Sequence, residues 1–211
     1  MADELQDKFE KFIGENKGQR KFKQSVELAI NFKGIDFNKQ DNRLNIEVAL
    51  PNGRGMQSKV AVFATERSIV EEARKSGIEV IDGNDLANIA ADQARMNSIL
   101  GYELIAQPNL MPNIAKFMGK VLGPRNKMPK PLLGNTKIDT IASDLNKRIV
   151  LRSKGKYLPT IHCVVGNEDM EPGKLYENAR EVISNVTRKV GQSHIKSVYV
   201  KLTMSKPMKM T

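Results

Sequence analysis

Hydrophobic and polar positions follow a helical rhythm at the start of the chain and then switch to strict alternation. Residues 3–16 place four apolar side chains on one helical face, Leu5, Phe9, Phe12 and Ile13. Asp3 stands where an N-cap is needed. Residues 21–37 and 43–51 then alternate apolar and polar positions. The pattern predicts an amphipathic helix followed by two half-buried strands, paired as a long hairpin or as a crossover pair.

The middle of the chain has a different pattern of apolar and polar positions. Residues 59–64 are a short continuous apolar run, which is typical of a strand buried on both faces. Strand-like and helix-like stretches then take turns along 67–77, 78–82, 83–95, 102–108 and 113–123. Three strand–helix units in succession predict a small parallel sheet with helices on both faces.

Alternation returns near Arg148. Residues 147–166 predict a strand, a basic turn and a second strand, and 171–190 predict an amphipathic helix with a proline in its first turn. The last predicted strand, 195–204, places Ser197, Tyr199, Lys201 and Thr203 on one face.

Strand-rich segments therefore lie at both ends of the chain, around a doubly wound centre. We predict an α/β protein with two domains. A discontinuous α+β outer domain comprises 1–53 plus 148–211, and a three-layer, Rossmann-like α/β/α domain, 54–147, is inserted into it.

The net charge of +10 is unevenly distributed. Residues 1–53 are neutral overall, 54–147 carry a net +3, and 148–211 carry 12 bases against 5 acids, a net +7. RNA, DNA or an anionic membrane would fit such a segregated excess, and a solvated basic surface would also explain it. No stretch approaches the roughly 20 apolar residues of a membrane span. The single cysteine, Cys163, excludes an internal disulfide framework and fits a reducing cytoplasm.

Enzyme chemistry has no support in the sequence. The two histidines and one cysteine have no zinc spacing, and neither a P-loop nor a dinucleotide fingerprint is present. Cys163 follows His162 on a predicted strand, so the two side chains should face opposite ways. We therefore expect no catalytic residue, no metal and no cofactor. The alternatives weighed were an RNA-processing or nucleotide-dependent enzyme and a membrane-surface binder.

Two basic regions are candidates for binding a polyanion. The first is 116–137, which carries six bases and three prolines inside the acid-free segment 104–138. It predicts either a stiff phosphate-contacting loop or a solvated one. The second is the set of lysines around the outer strands, which mixes bases, hydroxyls and apolar groups as RNA recognition requires. Within it, core packing is the expected role of the Phe22 ring, and a solvated position is the simpler reading of Glu27.

Five motifs in order, "KFKQSVELAINFKGID", "LPNGRG", "LGPRNKMPKP", "GKYLPTIHCVVG" and "SVYVKLTM", resemble the archaeal type of large-subunit ribosomal protein one. The resemblance implies a first domain with both termini in a split β-α-β arrangement and a Rossmann-like insertion. It implies a non-enzymatic, cytoplasmic protein, monomeric when free of the ribosome. The implied partners are large-subunit rRNA at the mobile stalk, exit-site tRNA, whose release the protein assists, and its own mRNA, whose translation it represses.

The resemblance also implies RNA-contacting positions in the outer domain. On the strand after the first helix they are Lys21, Phe22, Ser25 and Glu27, and on the closing strand they are Ser197, Thr203 and Met204. The basic turn before "IH" supplies Lys154 and Lys156. Where the family has a glycine after the Thr-Met pair, this chain has Ser205, whose side chain would displace the RNA slightly or add a hydroxyl contact.

Overall fold

The structure, a computed structural model, describes residues 2–132, 137–153 and 158–210. Its helices are α1 Ala2–Asn16, α2 Arg67–Lys75, α3 Leu86–Ala91, α4 Gln93–Ile99, α5 Met111–Leu122, α6 Ile138–Lys147 and α7 Pro172–Val190. Its strands are β1 Ser25–Phe32, β2 Asn45–Ala49, β3 Val60–Ala64, β4 Glu79–Asp82, β5 Glu103–Ala106, β6 Lys130–Pro131, β7 Arg148–Arg152, β8 Thr160–Asn167, β9 Ile195–Leu202 and β10 Met208–Lys209. Short 3₁₀ turns occupy Gln40–Asn42, Pro108–Leu110 and Gln192–His194.

The chain divides into two compact units. The first comprises Met1–Met56 with Asn146–Thr211, and the second comprises Gln57–Leu145. In the first unit an antiparallel sheet has the strand order β10-β9-β1-β8, and β2 and β7 form a separate antiparallel pair. The predicted pairing of the two early strands is therefore wrong, because β1 pairs with β8 and β9 while β2 pairs with β7.

The first unit buries one face of its four-stranded sheet. Every second residue of β1 is fully or almost fully buried, from Val26 to Phe32. These side chains join one apolar cluster with residues of α1 and α7, and the rings of Phe9 and Tyr176 pack with centroids 5.5 Å apart. The strict alternation of β1 therefore follows from helices covering one side of the sheet only.

The second unit contains a parallel sheet with the order β4-β3-β5-β6. Both faces are covered, because one apolar cluster includes residues of α3, α4 and α5 and another includes residues of α2 and α6. All five residues of β3 are accordingly buried. The predicted α/β class is confirmed, with an open-faced antiparallel sheet in one unit and a helix-covered parallel sheet in the other.

Three local features of the second unit differ from the sequence prediction. The helix predicted over 83–95 is two helices, separated at Asp92, whose carboxylate accepts hydrogen bonds from Ala94 N at 2.9 Å and Arg95 N at 3.2 Å. Lys130 and Pro131 form a short fourth parallel strand beside β5, where a loop was expected. Helix α6 was not predicted.

Candidate nucleic-acid interface

The open face of the antiparallel sheet gathers polar, basic and a few apolar side chains. They come from alternating positions whose neighbours in sequence point into the core. We call this set the sheet surface; it comprises Ser25, Glu27, Ala29, Asn31, Thr160, His162, Val164, Ser197, Tyr199, Lys201 and Lys209. Predicted residues from two distant parts of the chain, Ser25 and Glu27 with Ser197, are thus brought onto one face.

Strand register orders the sheet surface into rows. Glu27 lies opposite Lys201 on β9 and Val164 on β8, so a carboxylate faces an ammonium-bearing side chain across one strand pair. In the next row, Ala29 separates His162 and Tyr199, which leaves the small alanine side chain between two rings. These rows alternate charged, aromatic and apolar groups over a short distance.

The third row is tied together by hydrogen bonds. Thr160 Oγ1 donates to Asn31 Oδ1 at 2.9 Å, and Asn31 Nδ2 donates to Ser197 Oγ at 3.1 Å. Ser197 is only 7% exposed as a result of its position between neighbours. Its hydroxyl is therefore already engaged, and Asn31, which sequence reasoning did not select, is the residue that orients it.

Thr203, directly after β9, forms hydrogen bonds with the first residue of β1. Its hydroxyl oxygen accepts from Ser25 N at 3.1 Å, and its own N–H donates to Ser25 O at 3.1 Å. The next residue, Met204, donates its N–H to Gln24 Oε1 at 3.1 Å while its side chain remains 56% exposed. The backbone of this corner is thus fixed, and the methionine side chain is presented to solvent.

Ser205 closes the turn that follows. Its hydroxyl oxygen accepts from Leu202 N at 2.9 Å and lies 3.0 Å from Lys206 O, to which it can donate. The only non-glycine residue with positive φ in the described part of the chain is Asn126, so Ser205 has an ordinary backbone conformation. The turn therefore does not need the conformational freedom of glycine, and the serine hydroxyl is used inside the protein.

The C-terminal residues form part of the sheet. Met208 and Lys209 pair with Val200 and Tyr199 as strand β10, and Met210 N donates to Val198 O at 2.8 Å. Met210 is buried, with 7% of its surface exposed. The only sequence signal for this strand was the short apolar–basic–apolar pattern after Pro207, with an apolar residue on each side of Lys209.

The predicted residues Lys21 and Phe22 lie in the loop between α1 and β1. Phe22 is 51% exposed, so the expectation that its ring packs in the core is wrong. The strand begins at Ser25, after the loop has turned Phe22 outward. Beside it, Lys23 Nζ contacts Asp169 Oδ2 at 2.5 Å, and this hydrogen bond lowers the pKa of the Asp169 carboxyl. Lys154 and Lys156 lie outside the described residues.

A buried carboxylate holds this loop against the sheet. Glu168 is 5% exposed and accepts from Gln24 N at 3.1 Å, Gln24 Nε2 at 3.2 Å and Gly18 N at 3.2 Å. Burial acts to raise the pKa of Glu168, but these hydrogen bonds outweigh it and the pKa is lowered. Because Gln24 also accepts from Met204 N, one network positions both the loop of Phe22 and the corner of Met204.

The structure separates His162 from Cys163 as the alternation predicted. His162 lies on the sheet surface, whereas Cys163 points into the core, where burial raises the pKa of its thiol to about 12. No group of three or more histidine, cysteine, aspartate or glutamate side chains that could hold a metal ion occurs among the described residues.

Comparison with known proteins identifies the family of the chain. The model of the ribosomal protein L1p/L10e family matches residues 11–206. The chain belongs to this family. It is 40% identical over 197 residues to large ribosomal subunit protein uL1 of Thermococcus kodakarensis, covering 90% of this chain and 89% of the relative. It is 41% identical over 197 residues to the protein of that name from Pyrococcus abyssi (90% and 88% covered) and 39% identical over 196 to the one from Thermoplasma acidophilum (91% and 89%).

Membership in the L1p/L10e family confirms the resemblance drawn from the five motifs. It makes the chain a structural ribosomal protein and removes the enzyme alternative. None of the helices in the described ranges is long and apolar enough to cross a bilayer.

Proposed function

We propose that this protein is a structural constituent of the large ribosomal subunit, and that the sheet surface and its two flanking corners bind large-subunit rRNA. The observation that carries the proposal is the open face with its row of Glu27 and Lys201, together with exposed Phe22 and Met204 close in sequence to the ends of its strands. Relatives that match nearly the whole chain are named as large-subunit proteins.

The chemistry of the proposed contact divides among residue types. Lys21, Lys154, Lys156 and Lys201 neutralise phosphates. The Ser25 hydroxyl and the Glu27 carboxylate address 2′-hydroxyls or base edges, and exposed Phe22 and Met204 pack on sugars and unstacked bases. Thr203, Ser205 and Ser197 act mainly as positioning residues, because their hydroxyls already bond within the protein.

Finer roles extend the same proposal. The rRNA target is the mobile stalk near the exit site, where the protein assists release of deacylated tRNA from the cytoplasmic ribosome. A similar structure in its own mRNA competes for the sheet surface, which makes the protein a translational repressor. The first unit is proposed as the rRNA-binding domain, the second as an inserted domain, and the free protein as a monomer.

The direct test is binding of a stalk rRNA fragment to the intact protein, measured by filter binding at two salt concentrations. Met204→Ala and Phe22→Ala should each weaken binding about tenfold, because a stacked or packed apolar contact is worth about 1–3 kcal/mol. Met56→Ala, at a methionine 64% exposed outside the sheet surface, is the control and should bind normally. Wild-type affinity no higher than for random duplex RNA would overturn the proposal.

Repression is tested in the same assay. A leader fragment of the protein's own mRNA should displace the rRNA fragment competitively, and Met204→Ala should weaken both RNAs by a similar factor. Simultaneous binding of the two RNAs would contradict a shared surface, while leaving rRNA binding itself intact.

A further inference from the structure

Helix α5 in the second unit has an outer face that the proposed function does not use. Its inward residues Ile114, Met118 and Leu122 are fully buried. At about 100° per residue, the direction opposite these three is occupied by Asn113, Lys116 and Lys120, and Phe117 lies on the flank of the helix, about 80° from that direction. All four are exposed. The helix is therefore anchored through one side and presents a basic and aromatic side to solvent.

Glu103, the nearest acidic residue before α5 in the sequence, already has a basic partner. Glu103 Oε1 lies 3.1 Å from Lys127 Nζ, which also donates to Tyr102 O at 3.2 Å. Residues 104–138 contain no acid. In the described part of the chain, no ion pair involves Lys116 or Lys120. Their charges are therefore available to an external anion.

The turn after α5 extends the basic face in a defined conformation. Arg125 Nη1 donates to Val121 O at 3.2 Å, which keeps the guanidinium beside the last turn of the helix. Asn126 has a left-handed φ of 60°, and Lys127 N donates to Leu122 O at 3.0 Å. Pro129 is buried and leads directly into β6. Because these hydrogen bonds hold the turn against the helix, the position of Arg125 at the end of α5 is defined before binding, which lowers the entropic cost of binding.

One aromatic ring lies within this group of cations. Phe117 is 42% exposed, and Lys116 Nζ is 5.5 Å from the centre of its ring. The ring is therefore partly covered by the protein, and its exposed part lies on the flank of the helix next to Lys116. Beside lysines it provides a surface on which a nucleobase can stack.

We propose that the α5 surface, comprising Asn113, Lys116, Phe117, Lys120 and Arg125, is a second RNA-binding site, which takes the sugar–phosphate backbone of an RNA helix next to an unpaired base. Lys116 and Lys120 lie one helical turn apart, about 6 Å along the axis, and so can contact successive phosphates of one strand. The base stacks on Phe117, and the Asn113 amide faces a 2′-hydroxyl or base edge.

RNA fits this surface better than other anionic partners. A lipid surface would require a broad apolar face, and the outward side of α5 offers a single ring. An acidic protein would satisfy the cations but would leave Phe117 without a specific role. The site belongs to the second unit and does not depend on rRNA binding to the sheet surface.

The test uses the intact ¹⁵N-labelled protein and a ten-base-pair RNA hairpin with a four-nucleotide loop, unrelated to the stalk. The hairpin is titrated with and without an excess of the stalk rRNA fragment. We expect amide shifts within residues 113–128 that persist when the fragment is present. The variant Lys116→Gln/Lys120→Gln should weaken hairpin binding at least tenfold and reduce the log–log salt slope by about two.

Controls separate this site from general charge effects. Arg74→Gln/Lys75→Gln removes the same charge from exposed positions of α2, and it should leave hairpin binding nearly unchanged. Phe117→Ala should weaken binding about tenfold without altering the salt slope, because a ring releases no counterions. Circular dichroism establishes that each variant is folded.

Three outcomes would overturn the proposal. Shifts confined to the first unit would place all hairpin binding on the sheet surface. Equal losses in the two double variants would show that net charge alone is responsible. Displacement of the hairpin by polyglutamate of equal charge and concentration would identify an acidic protein as the partner instead. Failure of stalk rRNA binding, by contrast, would affect only the sheet surface.

Discussion

The four-stranded sheets of the two units differ in how many of their faces are covered by helices. In the first unit, helices cover one face of an antiparallel sheet and leave the sheet surface accessible. In the second unit, helices cover both faces of a parallel sheet, and β3 is buried throughout. A covered sheet cannot contact a macromolecule itself, so binding by the second unit is left to helix and turn surfaces such as that of α5.

The two units also differ in how many polar side chains they bury. Among the described residues, the buried polar side chains of the first unit are Gln24, Ser153, Asn167, Glu168, Asn178 and Ser197, whereas the second unit has Gln107. In the first unit several of these groups hydrogen-bond to loops, as Glu168 does to Gly18 N and Asn167 to Gly55 O. Asn178, for example, is fully buried and donates to Gly53 O and Val165 O, both at 2.8 Å. These hydrogen bonds fix loops of the first unit, which would lower the entropic cost of the proposed RNA binding.

Introducing one carboxylate into each sheet gives the largest expected contrast. Ala106 on β5 is fully buried, and Ala106→Asp should cost at least about 4 kcal/mol because an unpaired charge would lie between two helical layers. Ala29→Asp lies on the open face and should cost about 1 kcal/mol or less in stability. It should nevertheless weaken rRNA binding more than tenfold, because it adds a negative charge to the centre of the sheet surface.

Urea unfolding and rRNA binding of the two variants measure this contrast. Equal destabilisation by both substitutions would mean that the face carrying Ala29 is covered in solution. Unchanged rRNA affinity in a folded Ala29→Asp protein would mean that the RNA does not cross the middle of the sheet.

The polar network around Glu168 provides the next effect. Its folded-state pKa is lowered, so the ionised carboxylate stabilises the fold above the ordinary glutamate pKa of about 4.3. That contribution is lost as the pH falls through the folded-state value. Glu168→Gln should therefore cost about 2 kcal/mol at pH 7, since hydrogen bonds to a charged acceptor are lost, and much less at a low pH below the folded-state pKa.

Urea unfolding at both pH values checks this prediction. Glu15→Gln, an exposed position on α1 in the same unit, is the matched control and should show almost no difference from wild type at either pH. A destabilisation of Glu168→Gln that is the same at pH 7 and at low pH would show that the charge of Glu168 is not what holds the loop.

Periodicity predicted much of this arrangement, and its failures have physical causes. Alternation identified the faces of β1 and β9 because a half-covered sheet forces it. It could not predict which strands pair, since β1 contacts β8 and β9 from the other end of the chain. It assigned Phe22 to the core because the apolar–polar alternation of the sequence begins several residues before the strand itself. The hydrogen bonds between Gln24 and Glu168 hold those preceding residues in a loop. Asn31 was overlooked because its role depends on neighbours across both strand pairs.

The smallest effect concerns Ser205, where the sequence departs from the expected glycine. Ser205→Gly removes the hydrogen bond from Leu202 N and makes the unfolded chain more flexible, so it should cost about 1–2 kcal/mol in stability. The hydroxyl is already used inside the turn, and rRNA affinity should therefore change less than threefold. Ser205→Ala, which lacks only the hydroxyl, should lose about half as much stability and bind equally well. A tenfold change in affinity for either variant, at unchanged salt dependence, would instead make Ser205 a direct RNA contact, and would mean that the turn opens when RNA binds.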